Sequence, residues 1–234
     1  LLPYFNVPDY FFPAPLNVLN YSWENRLPLI SSLLVTLKIT LGGVCTAVFL
    51  TIILTTLFLY IPLSEWVIAP FIGVLQTLPM IVFAPLFLLW FKEDRMLTLI
   101  LASGLSGFFT LLSGTLNGLK QTQRSLNWVF TFYSASLWDQ IRLLKIPFSL
   151  SYFFESLKIC VQLCLLGALG GEFVIGSDYS QKGLAYHIMM ASYELEGARL
   201  FSTLLYLIIL GFFLIKVVTY ISKMILKSLH MVYR

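Results

Sequence analysis

Three consecutive stretches, Ile39–Ser64, Trp66–Phe91 and Met96–Leu119, carry no formal charge, and each is long enough to cross a bilayer. A helix needs about 20 apolar residues to span the hydrocarbon. Two further runs follow: Tyr152–Gly171, with Glu155 and Lys158 near its start, and Leu200–Ser222, where Lys216 can snorkel to the nearer surface. Lipid offers no partner for backbone N–H and C=O groups, so each run must satisfy them internally as helix. The expected fold is therefore all-α, a polytopic helical membrane protein with five spans. Composition agrees: 59% of the residues are hydrophobic and 11% charged, against roughly 25% charged in a soluble domain. One globular core cannot hide that much apolar surface.

The net charge of +4 would suggest nucleic acid in a soluble protein. Here the cations sit between the apolar runs, which is positive-inside bias, and no nucleic-acid partner is expected. The polar loop 119–147 carries Lys120, Arg124, Arg142 and Lys145 against Asp139, and the tail 223–234 carries Lys223, Lys227 and Arg234. Both are placed in the cytoplasm. The loop 172–198 holds Glu172, Asp178, Glu194 and Glu196 against Lys182 and is placed outside, as is the segment 1–28. Residues 29–222 form the membrane domain of a multi-pass inner (plasma) membrane protein. Five spans leave the N-terminus external, and Leu1-Leu2 reads as the tail of an apolar run, so a preceding sixth span is expected.

Enzyme chemistry finds no footing. There is no G-x-x-x-x-G-K-[ST] to hold ATP, no Ser/His/Asp set and no carboxylate pair on one face. Cys160 and Cys164 share a helical face without nearby His or acidic ligands, which reads as packing rather than a metal or redox pair. No cofactor or metal is expected. Gly107, Gly114 and Gly118 fall near one face of the third run and Gly167-x-x-x-Gly171 on the fourth, a spacing that lets backbones approach in lipid. Pro79 and Pro85 interrupt the second run just after Gln76 and Thr77. A broken helix with polar residues at the break fits either a translocation path or a simple packing kink.

Several motifs together resemble the permease subunits of type I ABC importers, in the group serving sulfonates, taurine, nitrate and thiamine-pyrimidine precursors. Val7-Pro8-Asp9-Tyr10-Phe11-Phe12-Pro13-Ala14-Pro15 is similar to that family's external opening segment. The run Leu78-Pro79-Met80-Ile81-Val82-Phe83-Ala84-Pro85-Leu86-Phe87-Leu88-Leu89-Trp90-Phe91 is similar to its signature. So are Phe108-Phe109 through Asn117-Gly118-Leu119, and Gly171-Glu172-Phe173 followed by Gly183-Leu184-Ala185-Tyr186. The resemblance runs in order from about residue 7 to 222.

The resemblance implies six spans, of which this chain matches the last five. It also implies a dimer of permease subunits, an ABC ATPase subunit that binds the ATP, and an extracytoplasmic substrate-binding protein. The family's cytoplasmic "EAA" loop ends in Leu-Pro and docks on the ATPase. Counting back from Ile146-Pro147, its glycine falls on Ser134, followed by Ala135, Ser136 and Trp138, and its glutamate on Trp128 or Asn127. The docking face would comprise Tyr133, Leu137, Trp138 and Ile141, with Arg142 and Lys145 at the rim. A helix lying on anionic lipid is the alternative for that segment. Glu172 and Gly183 are candidates for an external gate, with an ordinary interfacial acid as the plainer reading of Glu172. The expected function is substrate passage by alternating access, driven by the separate ATPase. The substrate would be a small organic solute such as a pyrimidine precursor or an alkanesulfonate. A secondary transporter or channel is the rival, but it would need intramembrane ionisable residues that the three middle runs lack.

Overall fold

The structure is a computed structural model. It describes residues 12–61, 70–75, 78, 80–92, 94–121, 130, 132–175 and 182–232, with the backbone alone for 80, 81, 137 and 229–232. The expected all-helical fold holds among the described residues. In chain order the helices are α1 (Pro15–Glu24), α2 (Arg26–Tyr60), α3 (Ala84–Trp90), α4 (Arg95–Lys120), α5 (Leu137–Gln140), α6 (Ile146–Ile175), α7 (Leu184–Tyr193) and α8 (Gly197–Val232).

Among the described residues four helical stretches are long and apolar enough to cross a membrane: Arg26–Tyr60, Arg95–Lys120, Trp138–Ile175 and Gly197–Ser228. The second expected span, Trp66–Phe91, is instead divided. Residues 70–75 are helical, a tighter turn covers Met80–Phe83, and α3 follows. Pro85 sits in the first turn of α3, where its missing N–H would have had no helical partner anyway. The first span begins earlier than the charge pattern suggested, at Arg26, so Lys38 lies on an exposed face within it.

The core lies where α2, α4 and α6 meet, with α2 and α4 parallel and α6 antiparallel to both. Its contacts are made by small residues. A Cβ on Gly107 of α4 would come within 2.7 Å of the Cys160 carbonyl and of the sulfurs of Cys160 and Cys164. A Cβ on Gly114 would overlap the Ser156 side chain, and one on Gly118 would lie 2.7 Å from the Tyr152 Cβ. Gly167 in turn faces Ser103 and Ser106, and Gly43 of α2 faces Ser103 and Gly104. The glycine rows seen in the sequence therefore serve packing within this chain. Side chains add specificity: the Ser103 hydroxyl donates to the Cys164 carbonyl at 2.8 Å, crossing from α4 to α6. Cys160 and Cys164 are fully buried with sulfurs 3.9 Å apart, and no group of metal-ligating residues occurs among the described residues.

α8 packs on α6 and α7 and turns Ile208, Phe212 and Tyr220 outward, 62–71% exposed, as a lipid-facing helix should. Replacing Gly107 by Val is expected to force α4 off α6, because its nearest neighbour is a backbone carbonyl that cannot swing away. A loss of about 1–3 kcal/mol is expected. Thermal unfolding in detergent checks it, with Gly211→Val, whose added Cβ would find an ordinary 3.5 Å contact with Leu165, as the control.

Candidate functional sites at the two ends of the bundle

At one end of the bundle α2, α6 and α7 are tied through a single buried acid. Glu172 lies in the last turn of α6 and is 4% exposed. One carboxylate oxygen accepts from the Thr36 hydroxyl of α2 at 2.8 Å, the other from the backbone N–H of Ala185 at 3.0 Å. The N–H of Leu184 donates to the Thr36 Oγ1 at 2.9 Å. Thr36 thus donates a hydrogen bond to α6 and accepts one from α7. The first N–H groups of a helix have no partner within it and carry partial positive charge. Here Thr36 and Glu172 supply those partners from two other helices.

Gly183, which caps α7, lies so close to this acid that an added Cβ would fall on the Glu172 carboxylate. The structure therefore brings together the two residues that the sequence singled out for this end, Glu172 and Gly183. A turn further along α7, the His187 Nε2 lies 3.0 Å from the Ser32 hydroxyl, while its Nδ1 is buried without a hydrogen-bond partner. Burial, reinforced by the nearby cations of Arg199 and Lys182, pushes the imidazole down to a pKa of about 4.

Thr36, Ser32 and His187 were not among the sequence candidates. The signal was the row Ser32, Thr36, Thr40, four residues apart, which reads in isolation as an amphipathic start to a span but is buried. His187 has no sequence neighbour to flag it. Its partner is 155 residues away.

The opposite end carries the basic loop. There the Ala135 N–H donates to the Phe130 carbonyl at 3.0 Å, and Ser134 sits at φ 50°. That is the left-handed seat that ends many helices and that glycine fills without cost. Ser136 then caps α5: its hydroxyl donates to the Asp139 carboxylate at 2.6 Å and accepts from the Asp139 N–H at 3.1 Å. The Gln140 side chain also donates to the Ala135 carbonyl at 3.2 Å.

Among the described residues the loop ends in no separate helix. α5 runs through a π turn, Ile141–Lys145, directly into α6. The widening has a cause in Pro147, which lacks an N–H and would press on the carbonyl four residues back in a regular helix. Phe132, Tyr133 and Trp138 are 86%, 78% and 55% exposed. Arg142 stands exposed beside them, Ile141 and Pro147 are half-buried, and the Leu137 side chain lies outside the described residues. Of the path candidates only Pro85 is described. Gln76, Thr77 and Pro79 lie outside the described residues, as do Asn127 and Trp128.

Two outcomes follow from the tie at α7. Thr36→Val leaves the Leu184 N–H and one Glu172 oxygen without partners, a loss of about 1–3 kcal/mol. Hydrogen exchange should accelerate at 184–187 while α4 stays protected. For His187 the folded pKa lies below the unfolded value near 6.5. The unfolded chain therefore takes up the proton first, and stability falls between about pH 6.5 and 4. Melting curves across that window should show a steeper decline for the native chain than for His187→Gln.

With this geometry in place, a family described as "Binding-protein-dependent transport system inner membrane component" matches residues 47–227. A formylaminopyrimidine transport permease protein, ThiX, of Halalkalibacterium halodurans is 28% identical over 203 residues, covering 86% of this chain and 79% of that protein. A riboflavin transport system permease protein, RibX, of Chloroflexus aurantiacus is 28% identical over 171 residues, 72% of this chain and 63% of that protein. A putative aliphatic sulfonates transport permease protein, SsuC, of Bacillus subtilis is 24% identical over 148 residues, 63% of this chain and 52% of that protein. Among solved structures, an amino acid ABC transporter with histidines is similar in fold, with a TM-score of 0.61 and 16% identity over 88% of this chain and 97% of that one.

Proposed function

Because the chain belongs to the binding-protein-dependent transport system inner membrane components, we propose that its loop end couples it to a separate ATPase and that its Thr36–Glu172–Gly183 end acts as an external gate. The protein is a multi-pass inner-membrane permease subunit of an ABC importer of the type I family, a transporter component and not an enzyme.

The observation that carries the coupling assignment is the backbone of Ser134. The family's glycine is expected there by counting back from Pro147, and that residue holds the left-handed conformation for which glycine is the natural occupant. The turn is thus retained although the letter is lost. It sets Phe132, Tyr133 and Trp138 out from the bundle as an exposed aromatic surface with Arg142 beside it. Aromatic residues and arginine are the side chains most enriched where proteins bind one another. The ATP is held by the partner ATPase, and this chain carries no cofactor of its own.

At the other end the carboxylate tie is well suited to a gate. It joins three helices through four buried polar groups, so parting one hydrogen bond leaves a buried group unsatisfied and weakens the rest. Substrate reaches it from an extracytoplasmic binding protein, and a second permease subunit completes the passage. Pro85, with Gln76, Thr77 and Pro79, contributes to that passage at the divided second span. The substrate class is a small organic solute, a thiamine pyrimidine precursor or an alkanesulfonate, in keeping with the names of the relatives.

A tagged chain drawn from its native membrane in mild detergent should bring down a P-loop ATPase at near-equal stoichiometry. Trp138→Ala and Ser134→Val, the second placing a β-branched residue in the left-handed seat, should insert normally yet lose the ATPase. Ser134→Gly should keep it. Equal recovery of the ATPase by all three variants rejects the coupling surface.

A further inference from the structure

We propose that α1 is a membrane-surface helix, lying along the lipid headgroups at the bundle end that holds Glu172 and sinking one apolar stripe into the acyl boundary. α1 has no buried residue, so its apolar side chains are not explained by packing within the chain. Its three sides differ in chemistry. One faces the protein: the Val18 carbonyl accepts from the Ser202 hydroxyl of α8 at 2.8 Å. A second is polar, with Asn20 and Glu24 exposed and with Asn17 and Tyr21 bordering a cavity of about 270 Å³ shared with Glu196 and Arg199. The third is the stripe Leu16, Leu19 and Trp23, exposed to 71%, 57% and 71%. At about 100° per residue these three fall within an arc of roughly 60°.

Continuity with the bilayer-facing surface decides what covers the stripe. Asn25, at φ −101° and ψ 22°, leaves the helical conformation and separates α1 from α2, while hydrogen bonds from Asn25 N to the Tyr21 carbonyl and from Leu29 N to the Asn25 carbonyl bridge the joint. The same spacing then continues through Leu27, Ile30 and Leu34 on α2, 73%, 44% and 47% exposed, where the first span has begun. At the other end of α1, Phe12 meets Phe201 of α8, with ring centroids 6.5 Å apart. Phe201 leads down the outward face of α8 to Ile208. The stripe is therefore joined at both ends to surfaces that must contact lipid.

The side chains at its lower end suit the interface. The Arg26 guanidinium lies 4.8 Å over the Trp23 ring and donates to the Trp23 carbonyl at 3.0 Å. An amphipathic indole held beside a cation belongs at headgroup level, where the ring meets the acyl boundary and the guanidinium meets phosphate. Helices of this kind bury their apolar face about 5–10 Å into that boundary.

The test is nitroxide scanning of the full chain in phosphatidylethanolamine–phosphatidylglycerol proteoliposomes. Cys45 is replaced by Ser, and Cys160 and Cys164 are left in the core, where they are fully buried. Single cysteines at 16, 19, 20, 23 and 24 are then compared for collision with oxygen and with a nickel chelate. Positions 16, 19 and 23 should favour oxygen severalfold over positions 20 and 24, which should favour the chelate. Chelate access at all five would place α1 in water and overturn the proposal. Shielding of 16, 19 and 23 from both reagents would overturn it in favour of a protein cover, whether a second copy or another subunit.

Discussion

Backbone proximity between α4 and α6 is the constraint on which the rest of this protein depends. In lipid an apolar side chain gains nothing by turning inward, so helices associate through close packing and polar contacts. Gly107, Gly114 and Gly118 remove the side chains that would hold the two helices apart. The gap closes far enough for Ser103 to donate to a carbonyl of α6. Once these two helices are seated, α2 can lay Gly43 against Ser103 and Gly104. The polar row of α2 is then carried to the level of Glu172.

The sorting of residues is consequently inverted relative to a soluble domain. On α2 the buried positions include Ser32, Thr36, Thr40, Gly43, Ala47 and Thr51, while Phe49, Ile52 and Ile53 face outward. Small polar residues pack inside because hydrocarbon leaves them no other partner. Large aliphatic residues face outward because they are at home there. Two hydroxyls on α2, those of Thr51 and Thr55, are buried without a hydrogen-bond partner.

The same inversion explains what could be read from the sequence. The helical fold, four of the five expected spans and the close approach that the glycine rows allow were legible, because these depend on residue size and charge along a single helix. The division of the second run was legible only as a cluster of prolines. The partnership of Glu172 with Gly183 came from resemblance, and Thr36 escaped notice because its two partners lie 136 and 148 residues away. The π turn also escaped. Pro147 was read as the end of a docking loop, whereas it widens one turn of a helix that continues through it. The left-handed seat of Ser134 was legible by position and illegible by residue type, since nothing about a serine advertises a positive φ.

That uninterrupted helix has a mechanical consequence. Trp138 and Glu172 belong to one helical rod of 38 residues, Trp138–Ile175, and stand about 51 Å apart along it at the usual rise per residue. α4 lies against that rod from Ser149, opposite Gly118, to Gly171, opposite Leu99, so the two helices tilt as one body. A tilt of about 10° moves one end by roughly 9 Å relative to the other, enough to part hydrogen bonds that are formed only near 3 Å. The one irregular turn of the rod is its π turn, Ile141–Lys145, close to the exposed tryptophan and far from the buried acid.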